Sequence, residues 1–118
     1  MDDAMRYEIF MRAIFSDALG KPIDRSGDPA GLAETDLFRA SELDSIKFCA
    51  GYAISIVIRR IRSEFHINEA ESEWFSKLVH RLSGCRKFEV AKQLIEQFRF
   101  RMEQKYYKIE NLSLKRID

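Results

Sequence analysis

Histidines, cysteines and paired carboxylates are the side chains a small protein would use for metal, acid-base or nucleophilic chemistry, and in this chain they are sparse. There are two histidines, His66 and His80, and two cysteines, Cys49 and Cys85. A closed zinc site needs four ligands at about 2.0–2.3 Å. His66 with Glu69 or Glu73 supplies two, and neither cysteine has a second Cys or a His at ligand spacing. Cys85 stands beside Arg86 and Lys87 at a helix start, the one context here that would favour a thiolate. Following Gly84, it reads better as a small junction residue. No Gly-x-Ser-x-Gly elbow is present, and Gly20, Gly27 and Gly31 follow a helix where a phosphate loop would follow a strand. Glu89, Glu96, Glu103 and Glu110 recur every seven residues, but di-metal helical sites pair such glutamates with Glu-x-x-His, which is missing. Solvated flank positions facing opposite charges explain the repeat. The expectation is a non-enzymatic chain with no metal and no cofactor.

Basic residues make the stronger functional pattern. Arg59, Arg60 and Arg62 close one helix, Arg81, Arg86 and Lys87 cluster at the next junction, and Arg99, Arg101, Lys105 and Lys108 follow along the last helix. Phe100, Tyr106 and Tyr107 interleave with that last set, as stacking and phosphate neutralisation on a single strand would require. The net charge is only +1, yet residues 1–58 carry six basic and ten acidic side chains and residues 59–118 carry fourteen and nine. Two halves of opposite sign can complement each other within one fold, and cations at helix carboxyl ends complement the helix dipole without any partner. A helix-turn-helix over residues 70–100 fits poorly, because its second helix is too long and apolar on more than one side.

The elements that must position these residues are helical. Met5, Ile9, Met11, Ile14, Phe15 and Leu19 mark an apolar face from about Asp3 to a stop at Gly20. From 20 to 33 the pattern dissolves into Pro, Gly, Ser and Asp, a long loop expected to be mobile. A short turn near Glu34–Phe38 gives the possible fifth helix. Ser41 and Asp44 have capping-box spacing before a helix that is apolar almost all round from Leu43 to Phe65, with Ala50, Gly51 and Ala53 small enough for close helix approach. Asn68 and Glu71 form a second such cap, opening a helix with Ala70, Trp74, Phe75, Leu78, Val79 and Leu82 and ending at Gly84. The last helix follows at once, so these two should form an antiparallel pair. Its seam of Phe88, Ala91, Ile95, Phe98, Met102, Ile109 and Leu112 predicts about seven turns, with a short tail over 113–118.

An apolar content of 46%, with 33% charged residues and nine Phe in 118 residues, describes one folded domain with no disulfide scaffold. The start, with Asp2 and Asp3, lacks the basic and apolar run of a signal peptide, and Phe48–Ile58 is too short to span a bilayer. The expected protein is cytoplasmic and all-α, a compact bundle of four main helices with a long C-terminal one. Phe100, Tyr107 and Leu114 recur every seven residues away from the seam, surplus to what a core needs. They are the expected anchors of an interface with a second copy or a protein partner, with Arg99 and Arg101 as its rim. The alternative is nucleic-acid binding through Arg59, Arg60, Arg62, Arg86, Lys87, Lys105 and Lys108, with affinity that falls steeply with salt.

Overall fold

A computed structural model describes residues 9–14, 43–111 and 113–117, the side chains of 44–46, 48 and 49 excepted. Residues 9–14 are helical (α1). They are followed by α2 (Leu43–Glu64), α3 (Glu69–Gly84), α4 (Phe88–Lys105) and an antiparallel hairpin of β1 (Tyr107–Glu110) and β2 (Ser113–Arg116). The expected loop at 20–33, the turn near Glu34–Phe38, the Ser41 cap, Gly20 and Leu112 lie outside the described residues.

Each helix is set by local chemistry. Asn68 opens α3 in extended conformation, and its Oδ1 accepts the Glu71 N–H at 2.8 Å, satisfying a first-turn donor. At the other end the Cys85 N–H returns to the Leu82 carbonyl, and Lys47 Nζ donates to the Cys85 carbonyl at 2.8 Å. A lysine of α2 thereby closes the carboxyl end of α3, where cations are favoured. α4 starts without a side-chain cap, the Val90 and Ala91 N–H groups both donating to the Lys87 carbonyl.

The C-terminal helix is shorter than its apolar spacing predicts. It ends at Lys105, where Tyr106 leaves helical geometry while its N–H still reaches the Met102 carbonyl. The described residues are mostly helical, in keeping with the expected all-α class, but the expectation that no strand is present is corrected by a small two-stranded sheet. Tyr107 and Ile109 alternate with Lys108 and Glu110, and aromatic and β-branched residues fit a pleated, half-buried surface better than a solvated helix. Ile109 lies opposite Leu114 in the register, and Asn111 makes the turn at φ 54°, a left-handed conformation Asn tolerates better than most residues. The Ile117 N–H closes the hairpin onto the Tyr106 carbonyl. Ser113–Arg116, within the stretch expected as a short C-terminal tail, is therefore a strand.

α2 is the helix on which α3 and α4 both pack, and α4 and the hairpin continue the same core. Phe10 and Ile14 of α1 join Ala50, Ala53, Ile54, Val57 and Ile61 of α2, Phe75, Leu78 and Leu82 of α3, and Ala91, Ile95, Phe98 and Met102 of α4. Phe10 lies 6.3 Å from Phe98, ring centre to ring centre, and Phe75 lies 6.0 Å from Phe98. The expectation that α2 is enclosed all round is corrected by an outward ridge of Tyr52, Ser55, Arg59 and Arg62, with Tyr52 53% exposed. Gly51 also has open space where a Cβ would stand, so the close approach falls to Ala50 and Ala53. Among the described residues no helix is long and apolar enough to cross a membrane.

Candidate interaction surface

The face of α4 turned away from the core carries two of the three exposed large hydrophobic side chains among the described residues. With Ala91, Leu94, Ile95, Phe98 and Met102 buried, the opposite ridge carries Val90, Gln93, Gln97, Phe100 and Gln104. Phe100 is 64% exposed and Val90 38%. No ridge position carries a charge, although the chain around it is rich in them. Together with Trp74 of α3, Gln93, Gln97, Phe100 and Gln104 of this ridge line an open groove.

Charge is held at the two edges of the ridge by bonds within the chain. On one edge stand Glu89, Glu96 and Glu103. Arg99 bridges the last two, with Nη2 at 2.7 Å from Glu96 Oε2 and Nη1 at 2.8 Å from Glu103 Oε2. On the other edge Arg101 reaches from α4 to Glu71 of α3 at 2.5 Å, and its guanidinium lies 4.0 Å from the Trp74 ring centre. Glu71, only 8% exposed, also accepts from the Tyr106 hydroxyl at 2.9 Å and Lys105 Nζ at 3.1 Å. Burial pushes the Glu71 carboxyl up, but the bonds from Arg101, Tyr106 and Lys105 and the Arg101 charge outweigh it, so its pKa lies below the usual value. The Tyr106 hydroxyl is pushed up, by burial first and then by its bond to Glu71 and that carboxylate's charge. It stays a protonated donor across the physiological range.

Of the expected interface anchors, only Phe100 lies on the surface. Tyr107 is fully buried and Leu114 is 4% exposed, because the hairpin folds both into the core. Tyr107 packs edge-on against Phe65, ring centres 5.5 Å apart, and the Arg60 guanidinium lies 4.6 Å from its ring centre. The seven-residue spacing that joins them to Phe100 is a coincidence of two different elements. Arg99 and Arg101 flank Phe100, as a rim would.

The basic residues do not form one patch. Arg60 bonds Glu64, Arg62 donates to Ser72 Oγ, Lys105 bonds Glu71, and Lys108 lies 3.5 Å from Glu110. Arg86 and Lys87 sit at the α3–α4 turn, on the Lys47 end of α2, while Arg59 is twelve residues further along α2, about 18 Å away. His66 and His80 are both exposed and belong to different segments. Among the described residues no three His, Cys, Asp or Glu side chains are grouped to hold a metal ion.

Glu71 escaped the sequence reading except as a cap residue. Its side chain does not turn back to the Asn68 backbone but crosses to α4. The signal lay in its place on the stripe 71, 75, 78, 82, otherwise filled by Phe75, Leu78 and Leu82, where a carboxylate must bring its own partners. No protein-family model, curated protein or solved structure matches the chain.

Proposed function

We propose that the chain is a single non-enzymatic helical domain of the cytoplasm, a compact bundle finished by a hairpin, that binds a second copy or a protein partner through the outer face of α4. The observation that carries this reading is Phe100, the most exposed large apolar side chain described, on an uncharged ridge between two charged edges. Burying a phenylalanine side chain stabilises a complex by roughly 1.5–3 kcal/mol, and an aromatic anchor inside a charged rim is how many interfaces are built. Arg99 and Arg101 suit the rim because their own carboxylates already fix them, so little side-chain freedom remains to be lost on binding. The free thiol of Cys85 suits a reducing compartment. The nucleic-acid reading loses support, since four of its seven candidate cations are engaged within the chain.

The test is a photo-cross-linking residue at Gln97 in the protein expressed in its own cells. The expected result is a discrete cross-linked species that disappears when Phe100→Ser is added. No adduct, or one indifferent to Phe100→Ser, would reject the α4 face.

A further inference from the structure

We propose that the occupant of the α4 ridge is a second copy of this chain, the two α4 helices lying side by side and parallel about a two-fold axis. This rests on the reading of α4 as a docking face. Positions 90, 93, 97, 100 and 104 keep the alternating three- and four-residue spacing with which one helix offers a seam to another. Glu89, Glu96 and Glu103 run along one side of that seam, and Arg101 stands on the other. An antiparallel pair centred on Gln97 would set the glutamate row against itself and leave Arg101 away from any carboxylate of the other copy, and like charges across an interface are strongly disfavoured. A parallel pair sets Glu96 of each copy beside Arg101 of the other, so symmetry makes the contact twice.

Both groups have capacity for this contact. Arg101 gives Nη1 to Glu71, which leaves donors of its five N–H groups on a side chain that is one-third exposed. Arg99 occupies Oε2 of Glu96, while Oε1, tucked under its neighbours, has no hydrogen-bond partner among the described residues. Turning that carboxylate outward to a guanidinium satisfies it. The seam chemistry is self-complementary as well. Phe100 meets Phe100, and each of Gln93, Gln97 and Gln104 carries an amide that donates and accepts, so each can bond its symmetry mate. With one aromatic pair and little other apolar surface, the dimer is a reversible one of modest area.

The test uses the full chain in a Cys49→Ala, Cys85→Ser background carrying Gln104→Cys, treated with a short thiol-to-thiol cross-linker, beside light scattering of the unmodified protein. The expected results are a cross-linked dimer that is lost on adding Phe100→Ser, a solution mass rising with concentration to twice that of the chain, and a dissociation constant raised about tenfold or more by Glu96→Arg. Cross-linking through Gln97→Cys but not Gln104→Cys would overturn the parallel arrangement, because only position 97 faces itself in an antiparallel pair. A monomeric mass at every concentration would overturn the second copy as occupant. In that case an in-cell Gln97 adduct to a different protein leaves the α4 reading standing, and no adduct removes both.

Discussion

Glu71 shows how much one side chain can organise. A carboxylate on the buried stripe of α3 would be costly if it were alone, and it is tolerated because Arg101, Lys105 and Tyr106 converge on it from the end of α4. Those three bonds tie the first turn of α3 to the last turn of α4. Removing the charge with Glu71→Gln should cost about 1–2 kcal/mol, less than a fully buried pair would, because Arg101 and Lys105 are partly solvated. The pH dependence has a definite sign. The folded carboxyl titrates below its usual value of 4.5, so its stabilisation is complete above that value and is lost as the pH falls through the lower folded pKa. Urea unfolding from about pH 7 down to 3 should show this loss in the native protein, and the Glu71→Gln difference should vanish at the acid end.

At the scale of elements, the hairpin changes the meaning of the C-terminal sequence. Tyr107 has the burial of a core residue, so Tyr107→Ser should cost about 3–5 kcal/mol, whereas Phe100→Ser should move stability by under about 0.5 kcal/mol. Thermal unfolding of the two variants distinguishes them directly. The turn makes a second prediction. At φ 54°, Asn111→Gly should be neutral or slightly stabilising, and Asn111→Val should lower stability by about 1–2 kcal/mol, read from the same melting curves.

Legibility followed the strength of the local pattern. The extent of α2 was readable from its apolar run, and the Asn68 cap and the Gly84 end of α3 because periodicity and cap chemistry agree there. The seam of α4 was readable through Met102 from periodicity alone. Beyond it, Tyr107, Ile109 and Leu114 satisfy a seven-residue repeat and a two-residue alternation alike, and neither Pro nor Gly marks the break. The decisive clue was Asn111 between two short alternating runs, which a helical register absorbs unnoticed. Phe100 could be singled out from sequence as surplus; that Tyr107 was not surplus depended on a chain reversal visible only in three dimensions.

For the whole molecule, the arrangement separates what holds the fold from the exposed face of α4. The core collects apolar residues from all four helices and the hairpin, while the α4 ridge lies outside it, so the ridge can change without repacking the interior. A dimer formed on that ridge links stability to concentration, because association favours only the folded chain. The melting temperature of the native protein should therefore rise with protein concentration, and that of Phe100→Ser should stay constant. A flat profile for both would mean that the ridge contributes nothing to self-association.

The chain has one tryptophan, and Trp74 stands beneath the Arg101 guanidinium, 5.5 Å from Phe75 and at the edge of the groove that holds Phe100. A single indole at that boundary is a built-in optical probe. Its emission samples the core through Phe75 and the ridge through Arg101, so docking and unfolding should each shift it, docking with the secondary structure intact and unfolding with its loss. Fluorescence followed beside circular dichroism would separate the two events in the native sequence, with no label attached.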